Sequence, residues 1–218
     1  MAMKTSIEGR IALAVSEGLV DTAYLDSVGV WTLGIGHTTG AGKPNPKDYI
    51  GKKMSIPEIM DLFAIDLKKY EDIVNRNVKV PLLQREFDAL VHFVYNIGEP
   101  NFKKSKLLAN LNAGNKQAAW ESGFHGWLKP AELKGRRDKE RGIAQKGLYG
   151  SKVAPLYTAD KNGKLKRNGS IDLGKYKFPD ESAPEMDFTD NRPEAPAEQP
   201  SFWVSIIALI ASIFAPRK

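Results

Sequence analysis

The segment 179–200 sets the outline of the fold before any motif is considered. It holds five prolines and seven acids against a single base, Arg192. Proline removes backbone donors and the like charges repel, so this stretch cannot build a core and reads as an extended acidic Pro-rich linker. A folded domain is therefore expected within 1–178, with 201–218 as a separate tail. The chain has no cysteine, which excludes disulfide staples, thiol catalysis and thiolate metal sites. A body of this length buries a sizeable core without them.

Charge divides along the same lines. The whole chain carries +6, yet 179–200 carries −6 and 201–218 carries +2. The body 1–178 is thus +10, from 29 bases and 19 acids. Such a surface is drawn to polyanions: nucleic acid, anionic lipid or an anionic cell-wall polymer.

Within the body, helical signals dominate. The opening MAMKTSIEGRIALAVSEG does not read as a signal peptide, because Glu8, Gly9 and Arg10 interrupt it and the apolar run Ile11 to Val15 is short. It reads as a helix with a Thr5/Glu8 capping box, an Ile7, Ile11 and Val15 face, and Glu17 at its C-terminal edge before Gly18. Residues 24–35 read as two short strands around a Gly-containing turn, and 40–54 as loop. A second capping box, Ser55/Glu58, opens a long helix with an Ile59, Leu62, Phe63, Tyr70 and Ile73 stripe. Further helices are expected over 87–97, closed by Gly98, and around Leu107, Leu108 and Leu111, closed by Gly114. Residues 115–149 read as helical pieces broken at Gly123, Gly126 and Pro130. Lys161-Asn162-Gly163-Lys164 suggests a hairpin turn in the otherwise weakly patterned 151–178.

The chemistry concentrates in Glu17, Asp26 and Thr32. A hairpin folded symmetrically about Gly29 would oppose Asp26 and Thr32 on one face, a carboxylate and a hydroxyl able to share a water. Such a pairing does not survive a one-residue slip. Glu17 would sit where the chain turns toward this hairpin. Two carboxylates in different environments are the minimum equipment for glycoside hydrolysis, one protonated to donate to the leaving oxygen and one ionised. The negative end of a helix dipole favours Glu17 as the acid, leaving Asp26 as the base.

The words around these residues are more specific than the residues. Glu17-Gly18-Leu19, Tyr24-Leu25-Asp26 and Gly29-Val30-Trp31-Thr32-Leu33-Gly34-Ile35-Gly36-His37-Thr38 resemble the phage-type lysozymes, or endolysins, of glycoside hydrolase family 24. That family's signature is Glu, eight residues, Asp, five residues, Thr, and it is met here without a gap. Phe93-Val94-Tyr95-Asn96-Ile97-Gly98, Asn101-Phe102, Ser105-Lys106-Leu107-Leu108, Leu111-Asn112-Ala113-Gly114 and Gly135-Arg136-Arg137 with Glu140 are similar to its later segments, so the resemblance covers roughly 5–150. Lys106 departs from a common Thr.

The resemblance implies an α+β, mainly helical lysozyme-like fold with a small N-terminal β-hairpin lobe and a helical C-terminal lobe. It implies a muramidase cleaving the β-1,4 bond between N-acetylmuramic acid and N-acetylglucosamine in peptidoglycan with inversion. Glu17 would be the acid, and Asp26 and Thr32 would position the attacking water. Thr38, Tyr95, Asn96 and Ser105 would contact sugar. His37 and Asp66 would form a structural salt bridge, consistent with the cost of a lone carboxylate on an apolar stripe. No metal and no organic cofactor are implied. Arg136, Arg137 and Arg141 are read either as meeting acidic peptide stems or, for Arg136 with Glu140, as an i,i+4 pair. His92 and His125 are read as ordinary surface or core residues.

The tail contains a 14-residue apolar run, 202–215. As a helix that is about 21 Å, short of the roughly 20 residues that span hydrocarbon. Ser201, Ser205, Ala208, Ser212 and Ala215 would share one face, a pattern that permits close association in membranes. The expectation is a membrane-seeking tail on a tether; the alternative is a helix docked on the body. The chain is expected to act as a monomer, made in the host bacterial cytoplasm and reaching the cell wall in the periplasm after release. Two competing functions are a lytic transglycosylase, which needs no Asp–Thr pair, and a basic nucleic-acid-binding protein, for which no groove-reading motif is found. No nucleic-acid partner is therefore expected. The complete Glu-Asp-Thr set also argues against a wall-binding or virion component with a dead site.

Overall fold

The computed structural model describes residues 2–124 and 133–176. The linker 179–200, the tail 201–218 and the expected breaks at Gly126 and Pro130 lie outside the described residues, as does His125. The fold is α+β, and the described residues form two compact units, 2–13 with 67–150 and 14–66 with 151–176.

The second unit holds the sheet. Helix α1 (Ile7–Glu17) ends at Gly18, whose φ of 81° lets the chain turn into strand β1 (Leu19–Leu25). Strands β2 (Trp31–Gly34) and β3 (His37–Thr38) continue antiparallel. From the far end of the sequence, β4 (Val153–Ala159) pairs parallel with β1, and β5 (Leu165–Asp172) closes the sheet antiparallel to β4. The order is β3-β2-β1-β4-β5. Helix α2 (Ile56–Asn77) begins behind the reciprocal Ser55/Glu58 cap: Ser55 N–H donates to the Glu58 carboxylate at 2.7 Å and Glu58 N–H to Ser55 Oγ at 3.4 Å. Its Ile59, Leu62 and Phe63 are buried, as are Leu19, Val20, Tyr24, Leu33, Ile35 and Tyr157.

The first unit is helical: α3 (Gln84–Ile97), α4 (Glu99–Lys103), α5 (Lys106–Asn112), α6 (Lys116–Ala118) and α7 (Leu133–Lys146), with a π-turn over 119–123. Phe87, Leu90, Phe93, Phe102, Leu107, Leu111 and Phe124 are buried here. Phe93 packs edge-on to both Phe102 and Phe124. Gly123, expected as a helix break, ends the π-turn and is also a close approach: a Cβ there would lie 2.8 Å from the Leu107 Cα.

Two local expectations are corrected. The cap of α1 is Ser6 and not Thr5: Gly9 N–H donates to Ser6 Oγ at 3.0 Å, while Thr5 N–H donates to Glu71 at 2.8 Å. The expected apolar face of α1 also fails. Ile7 is exposed and Val15 half-buried, whereas Ile11, Ala12, Leu13 and Ala14 are buried in succession. The hairpin turn expected at Lys161-Asn162-Gly163-Lys164 is present, and the strands on either side of it, β4 and β5, belong to the main sheet.

Candidate active site

The β1–β2 hairpin has a different register from the symmetric one. Tyr24 opposes Thr32 and Leu25 opposes Trp31, so Asp26 faces Val30. The cause is Gly29. At φ 82° it occupies the last position of a three-residue loop, Ser27–Gly29, where a left-handed residue closes a type I turn, and it is not the apex. The shift preserves the alternation, so Asp26 and Thr32 still share a face, now as diagonal neighbours. Across β2 and β3, Thr32 opposes Thr38. Tyr24, Thr32 and Thr38 therefore form one row across three strands.

Asp26 is half-buried and grips its own turn. Its Oδ1 accepts N–H bonds from Val28 at 2.9 Å and Val30 at 2.8 Å. In return, Asp26 N–H donates to the Val30 carbonyl at 3.0 Å. Thr32 is fully buried, and its hydroxyl donates to that same carbonyl at 3.0 Å. The hydroxyl proton is thus committed to the backbone, leaving lone pairs as acceptors on the face shared with Asp26.

Glu17 is 6% exposed at the last position of α1. The residue linking it to Asp26 is Tyr24, which sequence reasoning passed over as part of a strand. Its phenol is pushed well above the ordinary tyrosine range, first by burial, then by the charges of Asp26 and of Glu17. Both carboxylates are therefore near one protonated phenol. Alternation two residues before Asp26 was the available signal. Tyr157 of β4 joins Val20 and Tyr24 in one buried cluster, and its ring lies against Gly18, where a Cβ would come within 3.1 Å.

His37 is buried between two acceptors. Its Nδ1 lies 3.0 Å from Asp66 and its Nε2 2.9 Å from the Pro44 carbonyl. Burial alone would lower its pKa. The Asp66 hydrogen bond and charge, with the carbonyls of Pro44 and Gly42, outweigh this and raise it above 6.5. The doubly protonated ring matches both acceptors.

Residues expected to contact sugar behave differently from one another. Thr38 is half-buried beside Thr32 in the second unit. Tyr95, Asn96 and Ser105 belong to the first unit. Tyr95 is buried with its ring 4.8 Å from that of Tyr70. Ser105 is the buried N-cap of α5, donating to the Phe102 carbonyl at 2.7 Å and accepting from Leu108 N–H at 3.1 Å. Asn96 Oδ1 accepts from Arg137. These three carry internal jobs, the core-packing and capping roles that are the alternative reading of such residues to sugar contact. Arg137 is fully buried, 3.2 Å from Glu140 and stacked 4.8 Å from the Phe93 centroid. That excludes it as a surface contact for acidic peptides. Arg136 also pairs with Glu140, at 3.4 Å, while Arg141 pairs with Asp138 at 3.1 Å. Among the described residues no three His, Asp or Glu side chains gather as a metal site, and no helix is long and apolar enough to cross a membrane.

Residues 14–143 match the family described as Phage lysozyme. The chain is 36% identical over 146 residues to the endolysin of Salmonella phage P22, covering 65% of this chain and 97% of that protein. A crystal structure of a P22 lysozyme mutant superposes with a TM-score of 0.60 at 35% identity, covering 65% of this chain and 98% of its own. The endolysin from Escherichia coli O157:H7 phage FAHEc1 gives 0.62 at 34% identity, covering 69% and 99%.

Proposed function

The chain belongs to the phage lysozyme family and is a lysozyme-type glycosidase acting on peptidoglycan; we propose that it cleaves the β-1,4 bond between N-acetylmuramic acid and N-acetylglucosamine by inversion, with Glu17 as acid and Asp26 as base. The observation that supports this assignment is that the buried Tyr24 phenol feels the charges of both Asp26 and Glu17. Glu17 donates its proton to the leaving glycosidic oxygen. Asp26 has Oδ1 fixed by two backbone N–H groups, so Oδ2 is the oxygen that takes a proton from the attacking water. Thr32 holds the Val30 carbonyl that also binds Asp26 N–H, and its lone pairs face the same side. Thr38, next in the row, extends this polar face toward the sugar.

Product analysis tests the reaction. Digested peptidoglycan should yield a free reducing-end muramic acid, first appearing as the inverted anomer. A 1,6-anhydro product would mean a transglycosylase, and initial retention would remove Asp26 as base toward water.

The apolar run 202–215 is proposed to draw the enzyme to membrane on its acidic tether, and release from the cytoplasm would give it access to the wall. Its composition supports this reading: the apolar side chains of Phe202-Trp203-Val204 and Ile206-Ile207-Ala208-Leu209-Ile210 favour an apolar environment over water. Removing 201–218 should leave lytic activity intact and reduce partitioning onto lipid vesicles. Unchanged partitioning would contradict the proposal.

A further inference from the structure

The family match ends at residue 143, before β4 begins. The hairpin that follows nevertheless runs along β1 toward the catalytic turn. Leu19 and Val20 pair with Leu156 and Tyr157. Next, Thr22 Oγ1 accepts the Ala159 N–H at 2.7 Å. Finally, Leu25 N–H, adjacent to Asp26, donates to the Gly163 carbonyl at 2.9 Å.

The two turns that meet here are built alike. Asp160 Oδ1 accepts N–H bonds from Asn162 at 2.8 Å and Lys164 at 3.1 Å, as Asp26 Oδ1 does from Val28 and Val30. Gly163, at φ 77°, closes its loop as Gly29 does at 82°. The second turn leaves no room above the first. A Cβ on Gly163 would lie 2.8 Å from the Leu25 nitrogen, 2.7 Å from its Cγ and 3.1 Å from the Trp31 ring. Leu25 and Trp31 are the last opposed pair before the Asp26 turn. At the other end of the hairpin, Tyr157 packs against Gly18, directly after Glu17.

We propose that the β4–β5 hairpin is a positioning element for catalysis, in which the Gly163 carbonyl fixes the Leu25–Trp31 pair and so aims the Asp26 carboxylate. The proposal rests on Asp26 being the base. Gly163 and Tyr157 act through their neighbours and touch no reacting atom. The catalytic turn thus leans on a segment that the family match does not include.

The test is Gly163→Ala, compared with Gly169→Ala and Asp26→Asn in the full chain on purified peptidoglycan. Gly169 is a matched control: its φ is 87°, so alanine is strained there too, but a Cβ at that position meets nothing within 4 Å. Gly163→Ala should lose on the order of 10- to 100-fold in kcat with KM little changed, the scale expected when a reacting group is misplaced by about an ångström. The acid limb of its pH–rate profile should also move, since the turn that holds the Asp26 carboxylate has shifted. Gly169→Ala should keep both kcat and profile at a similar loss of Tm. Should Gly163→Ala fail to fold, Asp160→Ala loosens the same turn without adding an atom and should lower kcat in the same sense. Wild-type kcat and pH profile in the folded Gly163→Ala protein, or in Asp160→Ala where that stands in, would overturn the proposal. Equal losses in Gly163→Ala and Gly169→Ala would also overturn it, by reducing the effect to strain. Asp26→Asn separates the two levels: if it is inactive while Gly163→Ala is normal, only the positioning role falls; if it is fully active, the catalytic reading falls with it.

Discussion

Asp26 and Thr32 share one acceptor, the Val30 carbonyl, which takes the backbone N–H of the first and the hydroxyl of the second, both at 3.0 Å. They are tied through one backbone group although they are not directly opposed. The hydroxyl of Thr32 should therefore matter more than its methyl. Thr32→Ser is expected to retain most activity, while Thr32→Val keeps the volume, removes the donor and lowers kcat by roughly 10- to 100-fold. Lysis of permeabilised bacteria followed by turbidity measures both. A fully active Thr32→Val protein would separate Thr32 from catalysis.

Asp26 combines a turn-holding Oδ1 with a second oxygen left for chemistry. Asp26→Asn keeps an acceptor for Val28 and Val30 and removes the proposed base. Its Tm should stay within a few degrees of wild type while turnover falls by about 10²–10⁴-fold, the range for loss of a general base. Asp26→Ala loses both functions and should melt measurably lower. Differential scanning calorimetry beside the activity assay distinguishes them.

The His37–Asp66 pair predicts a loss of stability at alkaline pH. A histidine whose folded pKa lies above 6.5 stabilises fully below 6.5, and the contribution fades as pH rises through the folded value. Asp66→Ala should cost about 2–3 kcal/mol at pH 6, as expected for a buried hydrogen bond to a charged group. The deficit should shrink toward pH 9. Urea titrations at the two pH values test this, and a pH-independent deficit would contradict it.

His92 predicts the opposite slope. It is buried with Nε2 2.8 Å from the Gly9 carbonyl. Burial, reinforced by the charges of Arg136 and Lys139, lowers its pKa to about 4 against the opposing pull of the Gly9 carbonyl and Asp88. The neutral ring's stabilisation is complete above 6.5 and is lost as pH falls toward 4. His92→Gln should flatten the Tm profile between pH 6.5 and 4. Parallel profiles for the two proteins would remove His92 as the source of the slope.

What the sequence disclosed follows the physics of each element. Helix α2 was legible because Ile59, Leu62, Phe63, Tyr70 and Ile73 all lie on its buried side and Ser55/Glu58 mark its start. The buried side of α1 was not, since four consecutive buried residues leave no polar face to reveal a direction. The β1–β2 register was missed because Gly29 was placed at the apex instead of at the left-handed closing position. Asn162-Gly163 marked the second turn, but no local pattern indicates that this hairpin joins β1 in parallel, a pairing across more than 130 residues. The Glu17, Asp26 and Thr32 spacing was readable. Tyr24 gains its significance only once the fold brings the charges of both carboxylates to bear on it.

In the proposed reaction everything turns on Glu17 supplying the proton to the leaving oxygen. Release of reducing ends from purified peptidoglycan by Glu17→Gln, measured beside wild type with Tm as a check on folding, tests it most directly. Glu17→Gln should fold and give no detectable reducing-end release. Release at or near the wild-type rate would contradict it.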